Sequence, residues 1–243
     1  MEPTDREQIV AAATDYVESW LDGDPERMAG CLHPALSKRS VRDHHSGDLS
    51  LEEAPFDEMT TAAVAWPKDY DRELQLSVFE VVDGIASART ICEPFVDLLH
   101  LARFDGRWLI VNVLYEERPA ADVAGDPSGP RTVFDDYASS WFDRDAELAR
   151  AIYHPSFVER RDAHPDDGLE LEEVAIEDVL AEVEDGAPEG TERHWEAKVF
   201  SVDGDIASGR VSVGPWDVYL HLARFGKRWL IVNVLYRAGA PAP

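Results

Sequence analysis

The chain has 243 residues, enough for one large domain or two of ordinary size, and its hydrophobic fraction of 44 % is typical of a packed globular protein. Its formal net charge of −26 opposes nucleic-acid binding, because phosphates would be repelled over most of the surface. No apolar run is long enough to span a membrane, and residues 1–8 are charged where a signal peptide would be apolar. We therefore expect a cytoplasmic protein with neither nucleic-acid nor membrane partners.

The basic residues are unevenly distributed between types, with four lysines against 19 arginines. An excess of Asp and Glu over Lys is expected in a protein adapted to high salt, where carboxylates hold water and their mutual repulsion is screened. An acidic protein from a GC-rich genome would have the same composition. Both explanations stay open.

The first half of the chain predicts three helices followed by four strands. Apolar residues recur at helical spacing over residues 5–21, with Thr4 or Asp5 as the N-cap, and residues 23–25 end this helix and start a second one over residues 25–32. Residues 51–65 suggest a third helix. Strand-like runs follow over residues 72–82, 85–93, 95–104 and 107–115, with Asp-Gly turns after the first and third. This order predicts an α+β domain with an antiparallel meander.

The second half of the chain repeats the first at an offset of 121 residues. Residues 100–115 read HLARFDGRWLIVNVLY and residues 221–236 read HLARFGKRWLIVNVLY, which are identical at 14 of 16 positions. The same offset links Tyr16 to Tyr137 and Trp20 to Trp141, and only the stretch after Arg39 needs a one-residue gap. The sequence therefore predicts two domains of one fold, over residues 1–118 and 132–243, joined by a linker rich in Pro, Gly and Ala at residues 119–131.

The two cysteines, Cys31 and Cys92, are replaced by Ile152 and Val213 in the second copy. An unrepeated pair in a chain without a secretion signal favours two reduced, buried thiols over a disulfide or a metal site. The sequence also lacks HExxH, CxxC, GxGxxG, P-loop and GxSxG patterns. We therefore predict no metal and no cofactor.

Several motifs occur in both copies and together resemble a known family. They are His33-Pro34, Ile85-Ala86, Leu99-His100-Leu101 and Arg107-Trp108-x-Ile110-Val111-Asn112, with their counterparts 121 residues later. The pattern resembles the nuclear transport factor 2-like superfamily, and within it the branch described as putative lumazine-binding, which is related to SnoaL-like polyketide cyclases. The resemblance covers both copies and implies two cone-shaped domains, each with three helices packed on a curved antiparallel sheet around an internal pocket.

The resemblance also implies how the two copies are arranged, because members of the superfamily commonly dimerise through their sheets. The last strand of the first copy is apolar on both predicted faces, with Trp108 and Ile110 on one and Leu109, Val111 and Val113 on the other. We therefore expect the two copies to pack sheet to sheet as an intramolecular pseudo-dimer. The expected state is a monomer with an internal pseudo-two-fold axis, with higher oligomers left open.

His100 and Asn112, repeated as His221 and Asn233, are the polar residues that we predict on the inward faces of the last two strands. Either histidine could act as a general base, with the asparagine holding a carbonyl or enolate oxygen. Alternatively, each His–Asn pair could hydrogen-bond internally and serve folding alone. The four residues are our candidate catalytic residues, and both readings stay open.

Other repeated residues are candidates for lining the pocket. Tyr16 and Trp20 share one helix face and could form a pocket wall or pack in the core. His33 ends the second predicted helix, where an imidazolium also suits the helix dipole. Arg39 lies in a polar segment near the expected pocket mouth and could bind a carboxylate or be solvated. The predicted ligand-binding residues are Tyr16, Trp20, His33, Arg39, Trp108, Tyr137, Trp141, His154, Arg160, Tyr219 and Trp229.

Two functions follow from these candidates. The first is the binding of a small organic molecule in one or both cones. The second is cofactor-independent isomerisation, cyclisation or dehydration of a small apolar substrate, with His100 or His221 as the base. Relatives with the isomerase mechanism place a carboxylate base inside the cone, whereas Asp97 of the first copy is replaced by Val218 in the second. This departure from the family pattern favours binding.

Overall fold

The computed structural model of the chain describes residues 3–41, 49–62, 64–117, 125–162, 170–214 and 216–237. They fall into two compact units, made mainly of residues 3–40 with 51–117 and of residues 125–162 with 171–237. We call these units the first and second domains and describe each by itself. The expectation that the two copies pack sheet to sheet stays a prediction.

The first domain contains three helices and a six-stranded sheet. Its elements are α1 Asp5–Asp22, α2 Pro25–Cys31, β1 Leu32–Val41, β2 Leu51–Pro55, α3 Phe56–Met59, β3 Gln75–Val82, β4 Ile85–Cys92, β5 Phe95–Phe104 and β6 Arg107–Glu117. The strand order is β2-β1-β6-β5-β4-β3. Strands β3 to β6 form the predicted antiparallel meander, and β1 pairs with β6 in parallel. The predicted α+β class is confirmed.

The second domain repeats this order of elements. They are α4 Ser128–Asp143, α5 Ala146–Ile152, β7 Tyr153–Asp162, β8 Glu172–Val174, α6 Ile176–Asp185, β9 Trp195–Asp203, β10 Ile206–Val213, β11 Trp216–Phe225 and β12 Arg228–Arg237. The strand order is β8-β7-β12-β11-β10-β9, the same as in the first sheet. None of the helices in the described ranges has a stretch that is both long and apolar enough to cross a membrane.

Local signals fix the ends of the first two helices as predicted. The Thr4 side chain accepts a hydrogen bond from the Glu7 backbone N–H, and the Glu7 carboxylate accepts one from the Thr4 backbone N–H, which completes a capping box. Gly23 ends α1 with φ 70°, a left-handed conformation that glycine adopts without strain. Asp24 caps α2, and Pro25 occupies its first turn.

The segment after α2 differs from the sequence prediction in both domains. Residues 32–41 form strand β1, which we did not predict, and the helix predicted over residues 51–65 is strand β2 followed by the four-residue helix α3. Its counterpart α6 is longer, at ten residues. The alternation of apolar and polar residues that predicts a strand is not visible in β1, because some of its inward-facing residues are polar. An inward lysine, for example, is indistinguishable in the sequence from a surface residue. Helix α4 begins at Ser128, inside the range predicted as a linker.

A β-bulge in β6 decides which side chains face the helices. His100 pairs with Asn112 and Leu101 pairs with Ile110, so Val111 has no partner position on β5. Along β6, the inward-facing residue that follows Ile110 is therefore Val113, and both lie in the core between the helices and the sheet. The predicted face of the strand is wrong from Asn112 onward, because the extra residue inverts the alternation.

The two cores are filled differently at one contact between helix and sheet. The first domain has Ala13 on α1 and Ala88 on β4, both fully buried. At the same positions the second domain has Phe134 on α4 and Gly209 on β10. A Cβ atom on Gly209 would overlap the Phe134 ring and a backbone carbonyl of the neighbouring strand. The large residue and the glycine are therefore complementary in volume.

Candidate functional site

A cavity of about 270 Å³ lies within the second domain, between helices α4 and α6 and strands β10, β11 and β12. Four of its lining residues are aromatic: Tyr137, Trp141, Trp216 and Tyr236. The rest of the lining is Glu182, Asp185, Gly186, Ala187, Pro188, Val213 and Val218. A small cavity with mainly apolar walls and a few polar groups is typical of sites for small organic molecules.

The walls of this cavity follow from helix and strand periodicity. Tyr137 and Trp141 are four residues apart on α4 and therefore share one face. Trp216 and Val218 are two residues apart on β11 and share one face of the sheet. The structure thus brings together Tyr137 and Trp141, which we predicted as ligand-binding residues, with Trp216 and Tyr236, which we did not predict.

One polar group in the cavity wall has no internal partner. The Trp141 indole N–H is buried, and no acceptor lies within hydrogen-bond distance among the described residues. A buried donor without an acceptor is destabilising, so such groups are normally satisfied by protein, water or ligand. The indole N–H is therefore suited to donate a hydrogen bond to a bound molecule.

A charged cluster of Glu159, Arg161 and Glu182 adjoins the cavity through Glu182. Glu159 and Arg161 lie two residues apart on β7 and point to the same side of the sheet. The Arg161 Nε donates to Glu159 Oε1 at 2.9 Å, and its Nη1 donates to Glu182 Oε1 at 2.7 Å. The guanidinium also lies over the Tyr236 ring, with 5.0 Å between its carbon and the ring centroid. One guanidinium therefore holds two carboxylates.

Burial perturbs the titration of this cluster. The Glu159 side chain is 2 % exposed, and desolvation raises its pKa from 4.5 to about 7, although Arg161 acts in the opposite direction. Glu182 and Glu172 raise this pKa further through their negative charges. Glu159 can therefore exchange a proton near neutral pH, as a general acid or base must.

The equivalent part of the first domain holds a different polar network, made of Tyr16, Lys38, Thr90 and Asp97. The Tyr16 hydroxyl donates to Asp97 Oδ1 at 2.9 Å, and the Lys38 ammonium donates to the Tyr16 hydroxyl at 2.6 Å. Lys38 Nζ is 3.8 Å from Asp97 Oδ1. Burial raises the pKa of the Asp97 carboxyl and lowers the pKa of Lys38, while each partially offsets the effect on the other.

Aromatic side chains of the first domain pack on the ring that corresponds to Trp141. Trp20 stacks on Tyr70, with 5.5 Å between ring centroids, and meets Phe95 edge-on at 5.6 Å. Phe95 in turn meets Tyr115 at 5.5 Å. In the second domain Thr191 stands at the position of Tyr70, 121 residues later. In the first domain the Tyr70 ring therefore covers Trp20, whereas in the second domain the residue equivalent to Tyr70 is not aromatic and cannot stack on Trp141.

Neither predicted catalytic histidine is among the residues that line the cavity. His100 and His221 are fully buried, but they alternate with Leu99 and Leu101, and with Leu220 and Leu222, which face the helices. Each histidine Nδ1 is 3.4 Å from the amide nitrogen of its cross-strand asparagine, Asn112 or Asn233. Desolvation lowers the pKa of His221 to about 3, which keeps its imidazole neutral. The prediction that these four residues face inward is wrong. The histidines lie on the face opposite the inward leucines, and the bulges at Val111 and Val232 turn the asparagines to that same face.

His33 and His154 begin strands β1 and β7, where they have structural contacts. Their Nδ1 atoms accept hydrogen bonds from the backbone N–H groups two residues later, at 3.1 and 3.0 Å. Their rings pack on Phe104 and Phe225. Both histidines are therefore outside the cavity lining, and their contacts fit the structural reading.

The remaining predicted ligand-binding residues also lie outside the cavity lining. Arg39 and Arg160 are buried beside Glu53 and Glu173, and they alternate with the inward residues of β1 and β7. The Trp108 indole donates to Asp5 at the start of α1. Trp229 packs at the edge of the second core. Tyr219 shares the face of His221, as alternation from the cavity residue Val218 requires.

The predicted site residues do not include Lys38, Asp97, Glu159, Arg161 or Glu182. We discounted Asp97 because its counterpart is Val218, and the other charged positions also differ between the copies. A residue that occurs in both copies is one that both domains require for folding, whereas these charged residues occur in only one copy and make the two interiors different. Alternation along β1 and β7 would have been the available signal, since it places Lys38 and Glu159 at one equivalent inward position.

The comparison with known families concerns the first domain. Residues 4–116 match the family model described as "Putative lumazine-binding". The matched range begins at the N-cap of α1 and ends one residue before the end of β6, so it covers the described first domain. The first domain is therefore similar to this family. The same element order and strand order in the second domain support the predicted tandem duplication.

Solved structures of single-domain length, described as nuclear transport factor 2-like proteins, are similar to about half of this chain. A protein of unknown function from Shewanella baltica is 20 % identical over 49 % of this chain and 100 % of its own, with a TM-score of 0.39. Proteins of unknown function from Silicibacter pomeroyi (20 %, covering 48 % and 100 %, TM-score 0.38) and Methylobacillus flagellatus (22 %, covering 49 % and 96 %, TM-score 0.39) are similar to the same extent. No curated protein sequence matches the chain at a significant level.

Proposed function

We propose that the second domain binds a small organic molecule in its cavity. The observation that carries this proposal is a cavity of about 270 Å³ whose wall contains four aromatic rings and a buried indole N–H. Aromatic walls supply most of the binding free energy of an apolar ligand, and a single fixed donor orients it. None of these contacts requires a cofactor.

We assign binding to the second domain because the first has filled the corresponding positions itself. Asp97 and Lys38 stand where the second domain has Val218 and Glu159, and Trp20 is stacked on Tyr70. An interior occupied by an ion pair and packed rings leaves less room for a guest. After duplication of one ancestral domain, the first copy would then have a filled interior and the second copy would bind the ligand.

The test is binding of 3-phenylpropan-1-ol, an apolar alcohol of suitable size, followed by quenching of tryptophan fluorescence. Val218 lines the cavity, so Val218→Phe adds a ring inside it and should abolish saturable binding. Val10→Phe makes the same substitution at a position that is 39 % exposed in the first domain and should leave binding unchanged. Equal binding by both variants, or no binding by the unmodified protein, would contradict the proposal.

A second function is favoured by one observation, the raised pKa of Glu159 beside the cavity. A carboxylate that titrates near neutral pH can remove a proton from carbon, and the neighbouring Arg161 can stabilise negative charge as it develops. In this alternative the protein is a cofactor-independent isomerase, cyclase or dehydratase. Glu159, acting directly or through Glu182, replaces the histidine that the sequence suggested as the base.

Hydrogen exchange separates this enzymatic alternative from binding alone. The ketone 4-phenylbutan-2-one carries exchangeable hydrogens beside its carbonyl, and their replacement in D₂O can be followed by NMR. Exchange that the protein accelerates, and that Glu159→Gln removes while Glu184→Gln does not, would support catalysis. Glu184 is an exposed residue of α6 and makes a matched control. Binding of the ketone without accelerated exchange would leave the binding function alone.

A further inference from the structure

The interior of the first domain is organised around a cation that belongs to the chain itself. The Lys38 ammonium lies 5.1 Å from the centroid of the Tyr16 ring and 4.4 Å from that of Tyr115. Asp97 supplies the negative charge at 3.8 Å. Aromatic faces and a carboxylate are the two groups that stabilise an ammonium out of water. This part of the fold therefore forms a cation site that is already occupied.

The second domain keeps the rings of this site, lacks its ammonium, and has the Arg161 guanidinium over the Tyr236 ring instead. Tyr137 and Tyr236 stand at the positions of Tyr16 and Tyr115, and both line the cavity. At the position of Lys38, however, the chain has Glu159. The strand pairing confirms the equivalence, since Lys38 pairs with Val113 and Glu159 pairs with Val234. A built-in positive charge has been exchanged for a negative one at the same inward position.

The charged side chains that line the cavity are carboxylates, and the Arg144 side chain packs against the lining residue Gly186. Arg161 is the cation of the cluster, and it is shared by Glu159 and Glu182, so one guanidinium faces two carboxylates. Asp185 adds a further carboxylate to the lining. None of the described lining residues is Lys, Arg or His. An anionic ligand would meet repulsion from the lining carboxylates, whereas a cation would be attracted to them.

We infer that the ligand of the second domain is an organic cation, an ammonium group on an apolar or aromatic body, because the cavity wall combines aromatic rings with the carboxylates of Glu182 and Asp185. This inference rests on the proposed binding function and adds the chemical class of the ligand. The ammonium lies against the aromatic rings and near Glu182, and the apolar body fills the remaining space beside Val213 and Val218.

The experiment compares three probes that share one body and differ in charge: 3-phenylpropylamine, 3-phenylpropan-1-ol and 3-phenylpropanoate. Binding to the full chain is measured by calorimetry near neutral pH, where the amine is protonated. We expect the amine to bind about tenfold more tightly than the alcohol, and the carboxylate to bind most weakly. Salt at physiological concentration screens the general attraction of the acidic surface for any cation.

Two variants locate the charge that matters. Glu182→Gln removes a carboxylate from the cavity lining and should weaken the amine roughly fivefold, with little effect on the alcohol. Glu184→Gln makes the same change in net charge two residues away on α6, at an exposed position, and should change neither. Tyr137→Leu removes an aromatic face and should weaken the amine more than the alcohol. Circular dichroism and thermal unfolding show whether each variant folds.

Each outcome bears on one of the two proposals. Alcohol binding equal to amine binding, or tighter binding of the carboxylate, would overturn the cationic ligand and leave the cavity as a binding site. An equal loss of amine affinity in Glu182→Gln and Glu184→Gln would also overturn it, because the attraction would then be general to the acidic surface. Failure of all three probes to bind would contradict both the cationic ligand and the proposed function.

Discussion

Glu159 gives the sharpest physical test of the second domain, and Glu159→Gln is the perturbation. This carboxyl lies on β7 with 2 % of its side chain exposed, held by Arg161 of the same strand and facing the charge of Glu182 on α6. Burial raises its pKa in the folded chain to about 7, whereas in the unfolded chain it titrates near its ordinary value of 4.5. Between these two pH values the folded chain holds a proton that the unfolded chain has lost.

The sign of the effect follows from that difference in bound protons. A group that binds more protons when folded stabilises the fold at low pH, and its contribution is lost as the pH rises from about 4.5 to about 7. The difference between the two pKa values corresponds to roughly 3 kcal/mol of stability. Glutamine cannot ionise, so the variant lacks this loss. Relative to the unmodified protein, Glu159→Gln should therefore gain stability steadily over this pH range.

Two measurements check this reasoning. The first is the free energy of unfolding in urea at several pH values from about 5 to about 8, where the difference between variant and unmodified protein should grow by up to roughly 3 kcal/mol. The second is NMR of the ¹³C-labelled Glu159 carboxyl, whose titration midpoint should lie near 7. Glu184→Gln is the matched control and should show a constant difference. A midpoint near 4.5, or a stability difference that does not vary with pH, would refute the buried, proton-holding carboxyl.

Two further predictions concern the packing of each domain. Lys38→Met leaves the Asp97 carboxyl buried without its cation and should cost about 3–5 kcal/mol in urea unfolding, whereas adding Asp97→Val should restore most of that loss. A double variant no more stable than the single one would contradict the ion pair. In the second domain, Gly209→Ala should cost about 1–3 kcal/mol because its methyl group overlaps the Phe134 ring, and Phe134→Ala in the same chain should make the substitution less costly. If the changes in the free energy of unfolding of the two substitutions were strictly additive, residues 134 and 209 would not compete for the same space.

Short-range signals in the sequence predicted much of the fold. The capping box at Thr4, the left-handed Gly23 and the Asp-Gly turns act within a few residues, so their effects can be read directly from the chain. The meander of β3 to β6 and its copy were likewise visible as alternating apolar runs. Both cysteines are buried free thiols, as predicted. Tyr137 and Trp141 were chosen from their shared helix face together with the pocket that the family resemblance implies, and they line the cavity.

The errors at the candidate site have two physical causes. One extra residue in β6, at Val111, inverts the alternation of the strand and turns Asn112 away from the helices, and nothing in the local sequence marks that bulge. In addition, we expected functional residues to occur in both copies. Asp97 occurs in only one and was therefore discounted, although it lies inside the first domain. Repetition identifies the shared requirements of two folds, and this pair of domains differs most in its buried charges.

The sequence by itself therefore determined the duplication, the α+β class and the helix that supplies one wall of the cavity, because repeats, caps and periodicity depend on residues close together in the chain. Only the tertiary structure showed that Lys38 meets Asp97 in one domain while Glu159 and Arg161 meet Glu182 in the other. Such pairings join residues far apart in sequence, and a buried charge looks like a surface charge until its neighbours are known. The apparent identity of the two copies thus conceals two interiors of different charge.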